Sequence, residues 1–418
     1  MLAGRGELLD PLVVASLGEQ VGGGGRGQSR RSGAGLGVGC RAVSIEVQPV
    51  RSRADLRRFV RLPWRIYRTA DPWVPPLVIE RKRYLDRARN PFFEHGEAEY
   101  FLASRDGDPV GRISAQVDRN FNDFHTSRWG WFGFYESVDD PEVASALLDA
   151  AERWLRERGC DRMVGPASLT MNDEAGILIE GYELPPIIQA PWHHPYYRRL
   201  LEGAGLDKAM DLLMWEQYLV DYDPMPILFE LHEKLEPEHG ITIRNMRRRD
   251  LGAEVRRFVE IYNAAWRENW GFVPITGREL EHAVDEAKPI LDEDWLFVAE
   301  KGGEAVAAAL TFPDFNQVLA RLDGRLLPFG WLKALRARPK IDRVRVGFLG
   351  VKPEYQHTGV AAALYVENFR MAARKPQTGG EMGWILETNT AMNRGMEAMG
   401  ARVVKRYRMY ERSFRGEE

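Results

Sequence analysis

The alternation of apolar and polar positions divides residues 43–418 into two passes of similar elements. In the first pass, residues 97–117 predict a hairpin that turns at Asp106-Gly107, and residues 141–158 carry apolar side chains at helical spacing. The second pass repeats this order, with a hairpin over residues 295–312 followed by a further strand and helix. Two similar passes, spaced about 180 residues apart, predict a tandem duplication of one mixed α/β unit.

The stretch that organises the second pass runs from Arg343 to Arg374. Its apolar residues 344–351 predict a buried strand, which ends at Lys352-Pro353 and leads through a short turn into an alanine-rich helix. A strand that feeds a tight turn at a helix N-terminus presents free backbone N–H groups and the positive end of the helix dipole. The stretch therefore predicts a binding site for a diphosphate.

Within this turn, the spacing Gln356-x-x-Gly359-x-Ala361 resembles the acetyl-CoA signature of the GNAT N-acetyltransferases. The order of elements resembles the GNAT fold over nearly all of residues 43–414. The phrases NPFFEHGEAEYFLA and MNDEAGILIEGY resemble a group of bacterial tandem GNAT-like proteins. The resemblance implies an α/β fold with a mixed α+β sheet, built from two tandem GNAT-like domains.

The expected domains follow from this resemblance and from local composition. The glycine-, serine- and arginine-rich residues 22–39 cannot bury enough apolar surface to offset the entropy of ordering, so residues 1–42 are expected to form a disordered leader, one that need not belong to the natural protein. A first GNAT-like domain is expected over residues 43–222. A second, acyl-CoA-binding domain is expected over residues 223–418.

The family pattern also implies which residues bind the cofactor. The backbone of residues 349–351 would pair with the pantetheine arm, and main-chain N–H groups of residues 356–361 would cradle the diphosphate. Asn389 would contact the cofactor or hold the two strands apart. The cofactor-binding set is Leu349, Gly350, Val351, Gln356, His357, Thr358, Gly359, Val360, Ala361 and Asn389. Acetyl-CoA is the expected co-substrate.

The catalytic groups are less well defined by the sequence. An attacking ammonium must lose a proton to a base, and Glu387 at the end of the next strand is the candidate, with a salt-bridged strand-end glutamate as the alternative. Tyr365 and His357 are weaker candidates for proton transfer. The position at which the family often has a tyrosine, the acid that reprotonates the CoA thiolate, is Met396, which donates no useful proton.

The first pass lacks the cofactor pattern. Its aromatic strand runs into residues 136–141 (ESVDDP), where carboxylates would repel a diphosphate and glycine is missing. We interpret this pass as a degenerate copy that does not bind CoA. Its residues 172–176 and 191–197 predict either a substrate pocket facing the second pass or an ordinary capped turn and helix start.

Between residues 313 and 342 the sequence carries a segment that the minimal fold lacks. It mixes leucine, phenylalanine and tryptophan with several arginines and lysines. Three roles are compatible with that composition: a brace against the first pass, a lid over an acidic or lipophilic substrate, and a contact with a membrane surface.

Composition narrows the functional classes. The net charge is −3 and the sequence pI about 6.3, so the whole chain is not expected to bind nucleic acid. Cys40 and Cys160 provide neither a disulfide framework nor metal-ligand spacing, which suits the cytoplasm, and no metal site is expected. No apolar run approaches the roughly 20 residues that a membrane span requires.

These observations predict a cytoplasmic N-acetyltransferase that moves an acetyl group from acetyl-CoA to the amine of a small molecule or peptide. Two alternatives stay open. One is a non-catalytic acyl-CoA-binding regulator or scaffold, which Met396 favours. The other is an aminoacyltransferase of the Fem type, which the intact CoA-like turn disfavours. The acceptor, the acyl length and the oligomeric state are not defined by the sequence.

Overall fold

The computed structural model describes residues 44–221, 225–288 and 291–414, so the leader expected over residues 1–42 lies outside the described residues. The strands are β1 (Ile45–Pro49), β2 (Gly96–Arg105), β3 (Asp108–Asp118), β4 (Trp129–Ser137), β5 (Arg162–Gly165), β6 (Ile177–Glu180), β7 (Asp207–Tyr218), β8 (Ile241–Asn245), β9 (Leu296–Lys301), β10 (Glu304–Pro313), β11 (Val344–Val351), β12 (Gly379–Leu386) and β13 (Arg402–Ser413). The helices are α1 (Arg53–Arg61), α2 (Pro63–Ile66), α3 (Val78–Tyr84), α4 (Arg119–His125), α5 (Pro141–Arg156), α6 (Tyr196–Gly203), α7 (Pro226–His239), α8 (Leu251–Ala265), α9 (Gly277–Ala287), α10 (Asn316–Leu319), α11 (Gly330–Ala337), α12 (Val360–Ala372) and α13 (Thr390–Ala398).

The strands form one continuous sheet in the order β1-β2-β3-β4-β5-β13-β7-β12-β11-β10-β9-β8, with β6 beside β13. This order is nearly symmetric about the junction of β13 and β7. Parallel pairing is confined to β4 with β5 and to β11 with β12, at matching positions in the two halves. The mixed α/β sheet that the sequence predicts is therefore present, in two related halves.

The last strand of each half lies in the other half's side of the sheet. β13, at the end of the second half, pairs with β5 of the first, while β7, at the end of the first half, pairs with β12 of the second. β7 and β13 then pair with each other along most of their length. A boundary near residue 222 consequently divides the chain but not the sheet, and the domains 43–222 and 223–418 stay a prediction.

Side chains along each strand alternate between the two faces of the sheet, and helices pack against both faces. In β9, Phe297 and Ala299 pack with α12, whereas Leu296 and Val298 pack with α8. The first half is arranged in the same way, with α5 on one face and α1 on the other. One face of the sheet therefore carries α1 and α8, and the opposite face carries α5, α7, α12 and α13.

A short turn explains why β2 and β3 pair as the sequence predicts. Asp106 and Gly107 both have positive φ angles, 52° and 83°, which is the geometry of the tight hairpin turn expected between β2 and β3.

Within the described residues, no helix has both the length and the apolarity to cross a bilayer.

A buried ion pair spans the exchanged strands. The Lys405 ammonium of β13 contacts the Glu381 carboxylate of β12 across the intervening β7, and each residue is only 1% exposed. Arg343 lies 3.9 Å from the same carboxylate. Burial raises the pKa of Glu381 and lowers that of Lys405, so each charge depends on the other.

Replacing Lys405 by methionine should lower the free energy of unfolding by about 3–5 kcal/mol, because it leaves a buried carboxylate without its main partner. Urea denaturation measures this change. The double variant Lys405→Met/Glu381→Gln removes both charges and should recover more than half of the loss. Equal losses in the single and double variants would contradict a coupled pair.

A histidine joins the two halves on the face that carries α1 and α8. The Nδ1 atom of His95 lies 3.2 Å from Asp118 Oδ1, and its Nε2 atom lies 2.8 Å from Glu279 Oε1 in α9. Burial alone would lower the pKa of His95, but the two carboxylates outweigh it and raise that pKa to about 9. The protonated imidazole therefore links the first half to the second.

This link should make stability depend on pH in a defined window. The pKa of His95 is higher in the folded than in the unfolded chain, so its contribution is complete below pH 6.5 and is lost as the pH rises through about 9. The shift corresponds to on the order of 3 kcal/mol. Denaturation of the wild type and of His95→Gln between these pH values tests it, and an unchanged slope in the variant would refute the assignment.

Candidate active site

The cofactor strand β11 separates from its parallel neighbour halfway along its length. Val344, Arg345 and Val346 pair with β12, and the ladder ends there. On the other edge, β11 stays paired with β10 as far as Val351. Beyond Val346, the peptide groups that point toward β12 consequently have no ladder partner on that strand, and the pairing of residues 349–351 with pantetheine stays a prediction.

A β-bulge changes the direction of β11 at the point where its pairing with β12 ends. The pairing with β10 shifts register between Leu310 and Thr311, which leaves Gly347 as the extra residue between Val346 and Phe348. Backbone N–H groups at a bulge are free of the regular ladder, so they can donate to a ligand oxygen.

The turn after β11 brings a helix N-terminus to the gap. Residues Pro353–Thr358 form a 3-10 turn, and Gly359 adopts a left-handed conformation with φ of 78° immediately before α12. No described side chain caps α12 at this end, so its first N–H groups have no partner from the helix itself. Gln356 and His357 are exposed, whereas Thr358 is buried.

Gly359 is required for a reason that the sequence does not reveal. Its positive φ favours glycine, and a Cβ at this position would lie 3.2 Å from Leu231 Cδ2 of α7. The glycine therefore allows the helix that connects the halves to pack against α12. Its expected role, close approach of the backbone to a diphosphate, stays a prediction.

The cleft between β11 and β12 is narrow and mostly apolar. It holds about 60 Å³ and is lined on one side by Tyr365, Met392 and Met396, and on the other by Trp266 and Asn269. The Tyr365 hydroxyl lies 3.3 Å from Met392 Sδ, and burial raises its pKa. Met396, which occupies the expected tyrosine position, is buried in an apolar cluster and supplies no proton.

Two predicted site residues lie at the end of β12. Asn389 lines the cleft, and its side chain accepts a hydrogen bond of 3.1 Å from the Met392 N–H, so it caps α13. Glu387 Oε2 lies 2.8 Å from Lys208 Nζ, and its Oε1 accepts from the Asp211 N–H at 3.0 Å. Glu387 is not among the residues that line the cleft.

The corresponding helix start in the first half carries its own anion. The Asp140 side chain accepts a hydrogen bond of 2.8 Å from the Glu142 N–H and caps α5, whose first residue, Pro141, has no N–H. Asp140 also pairs with Arg105. A carboxylate thus caps the helix start that corresponds to the N-terminus of α12, and the degeneracy of this half stays a prediction.

A much larger cavity lies on the face that carries α1. It encloses about 640 Å³, within the range typical of ligand sites, and apolar side chains form most of its wall. The first half contributes Trp73 and Trp192, and the segment between β10 and β11 contributes Leu319, Leu326 and Trp331. The segment that the sequence singles out therefore forms one wall of this cavity.

Hydrogen bonds fix that segment to the first half. Trp64 Nε1 donates to Asp323 Oδ1 at 2.8 Å, and the Asn316 side chain donates to the Pro186 carbonyl at 3.0 Å. The segment therefore braces the first half and forms part of the cavity wall, and its role as a lid over a substrate stays a prediction.

Charged residues gather at one end of the cavity. Arg112 Nη2 lies 3.5 Å from the Glu136 carboxylate, which also accepts hydrogen bonds of 2.6 Å from Tyr67 and Tyr197. Burial raises the pKa of Glu136 and lowers that of Arg112. The sequence prediction that residue 136 lies in a turn is wrong, because Glu136 is inside β4 and opposite Arg112 of β3.

This cluster lies far from the cofactor cleft. Five strand positions separate β4 from β11, which amounts to about 24 Å at the usual strand spacing. The two strands also run in opposite directions, so the end of β4 and the beginning of β11 lie at the same edge of the sheet. Glu136 is therefore too distant to act on a group held between β11 and β12.

Arg345 connects the cavity with the cleft. Its Nη1 donates to the Ile188 carbonyl at 2.6 Å, and its Nη2 donates to the Gly383 carbonyl at 3.1 Å. Ile188 lines the cavity, whereas Gly383 lines the cleft. The buried guanidinium of Arg345 thus contacts one residue that lines each space.

The stretch 172–176 lies where the two halves meet. Asn172 accepts a hydrogen bond from the Tyr262 hydroxyl of α8 and donates to the Val273 carbonyl at 3.4 Å. Glu174 and Trp192 line the large cavity. Of the neighbouring histidines, His193 is buried, which lowers its pKa to about 3, and its Nδ1 accepts from the Leu178 N–H.

Comparisons with known proteins agree with this architecture. A sequence profile of the acetyltransferase (GNAT) family matches residues 57–175. Protein YghO of Escherichia coli (strain K12) is 38% identical over 368 residues, which is 86% of this chain and 93% of that protein. The chain belongs to the GNAT acyltransferase family. The profile matches the half without the CoA-like turn, so that half keeps the family's sequence signature.

Two further relatives extend the GNAT assignment. The bacterial ceramide synthase of Caulobacter vibrioides (strain NA1000 / CB15N) is 35% identical over 378 residues, 89% of this chain and 98% of that protein. A solved tandem GNAT protein from the clavulanic acid biosynthesis pathway has a TM-score of 0.52 and 12% identity, and covers 90% of this chain and 100% of its own. The predicted fold of two tandem GNAT-like domains is confirmed.

The turn before α12 can be tested without disturbing the fold. Gln356→Glu is isosteric at an exposed position, and its added charge should weaken CoA binding about tenfold by repelling the diphosphate. Isothermal titration calorimetry with CoA measures this change. Gln48→Glu in β1 makes the same substitution at the opposite edge of the sheet and should leave binding unchanged. Equal affinities for both variants would exclude this turn as the diphosphate site.

Proposed function

We propose that this protein is an N-acyltransferase that moves an acyl group from acyl-CoA to the amine of a long-chain acceptor. The observation that carries the proposal is the gap between β11 and β12 beside the uncapped start of α12. Acetyl-CoA is the donor expected from the family pattern. Residues Leu349 to Val351, Gln356 to Ala361, and Asn389 are the proposed cofactor contacts, and the enzyme would work in the cytoplasm.

The proposed reaction uses a ternary complex. The amine nitrogen attacks the thioester carbonyl, a C–N bond forms, and the C–S bond then breaks. Backbone N–H groups at the Gly347 bulge would donate to the developing oxyanion. The ammonium proton goes to a base, and the CoA thiolate takes up a proton.

Glu387 stays the proposed base. Its carboxylate already bonds Lys208 and the Asp211 N–H, so it must exchange the lysine contact to accept a proton. Among the residues that line the cleft, Tyr365 is the one with a hydroxyl group. We therefore propose Tyr365 as the proton donor to the CoA thiolate. Met396 supports the alternative of a non-catalytic acyl-CoA-binding regulator, which an absence of thiol release would favour.

The acceptor class follows from the large cavity. Its apolar wall suits an alkyl chain, and Arg345 contacts both the Ile188 carbonyl at the cavity and the Gly383 carbonyl at the cleft. A ceramide is an amide of a long-chain amino alcohol, so the name of the Caulobacter relative fits the same class. We assign the cavity to the alkyl chain of the amine rather than to that of the thioester.

Narrowing the cavity should impair long acceptors selectively. Ala334→Trp places an indole in the cavity wall and should raise KM for a long-chain 2-amino-1,3-diol at least tenfold, on the order of 1.4 kcal/mol, without changing CoA affinity. Thiol release with a panel of amines measures it. Ala320→Trp, at an exposed position outside the cavity, is the matched control. A change in donor chain-length preference instead would reassign the cavity to the acyl chain.

A further inference from the structure

The segment that covers the large cavity exposes an unusual number of apolar side chains. Among the described residues, seven large hydrophobic side chains are exposed, and four of them fall within nine consecutive positions. These four are Leu327 at 72%, Phe329 at 68%, Trp331 at 45% and Leu335 at 61% exposure. We name these four residues the apolar patch. Such a patch marks a contact surface rather than an ordinary solvated face.

Basic residues surround the apolar patch. Residues 321–340 include six arginines and lysines, all exposed: Arg321, Arg325, Lys333, Arg336, Arg338 and Lys340. Asp323 is the acidic residue of this range, and its carboxylate accepts a hydrogen bond from Trp64. None of the six cations forms an ion pair with another described residue. The segment is strongly positive on a chain whose net charge is −3.

Exposed aromatic and aliphatic side chains mixed with unpaired cations fit one surface in particular. An anionic bilayer offers an apolar layer for the ring of Phe329 and phosphates for the cations around it. Each Lys or Arg near such a surface contributes about 1 kcal/mol. A nucleic acid would use the cations but would leave Leu327 and Leu335 without an apolar partner.

Part of the apolar patch also lines the cavity. Trp331 and Leu335 line the cavity and are exposed at the same time, whereas Leu327 and Phe329 do not line it. These two residues therefore place part of the cavity wall at the protein surface.

We propose that the segment 321–340 docks the protein on an anionic membrane surface, so that a single-chain lipid amine enters the cavity between Trp331 and Leu335. The docking itself does not require catalysis. The identity of the entering lipid rests on the proposed function, and the two statements can therefore fail separately.

Cosedimentation with vesicles tests the docking. The full-length protein is mixed with vesicles of phosphatidylcholine alone and with vesicles that contain about 30% phosphatidylglycerol. We expect binding only to the anionic vesicles, and weaker binding as salt is raised. Phe329→Asp and Lys333→Glu/Arg336→Glu should each lower the partition coefficient at least tenfold. Val220→Asp replaces an exposed apolar residue outside the segment and is the matched control.

Each outcome decides the proposal. Absence of binding to anionic vesicles, or binding by Phe329→Asp at the wild-type level, would overturn it. Vesicle binding that heparin abolishes while Phe329→Asp leaves it intact would identify a general polyanion site instead. Acyl transfer to a short soluble amine should be the same in Phe329→Asp and wild type. If no amine is acylated but vesicles are bound, the proposed function fails and the docking stands.

Discussion

Each half of the protein is completed by the last strand of the other, and the antiparallel pairing of β7 with β13 holds that exchange in place. Because β7 borders β12, the strand that defines one edge of the cofactor cleft rests on residues from the first half. The Lys405–Glu381 pair, both of whose residues come from the second half, reaches across β7 and so stabilises the same junction inside the sheet. The geometry of the cleft therefore depends on the pairing of β7 with β13, which neither half contains alone.

Much of the local structure was predictable because it depends on short-range patterns. β11 spans residues 344–351 and α5 spans Pro141–Arg156, close to the ranges that the apolar spacing predicts, since each pattern is local and has a clear terminator. The strand exchange was not predictable. β7 and β13 both have the pattern of a final strand, and periodicity does not tell which half a strand joins.

The candidate sites also contain some features that the sequence predicts and others that it does not. The turn at Gly359 carries a local motif, so its position follows from the sequence. The Arg112–Glu136 pair carries none, because alternation along β3 and β4 gives each residue a face but not a partner. Arg345 was missed for the same reason: its two carbonyl acceptors come from residues 157 and 38 positions away. Buried charges of this kind become visible only when the strands are assembled.

The helices of this protein leave the two faces of the sheet unequal. α12, with its open N-terminus, lies on one face, whereas the large cavity and its basic cover lie on the other. In the proposed function, a water-soluble thioester arrives from one side and a lipid from the other, so the substrates never compete for an entrance. The sheet would then separate the thioester, which comes from water, from the lipid, which comes from the membrane. Arg345 contacts one residue of the cavity and one residue of the cleft, so it lies where the two substrates would come together.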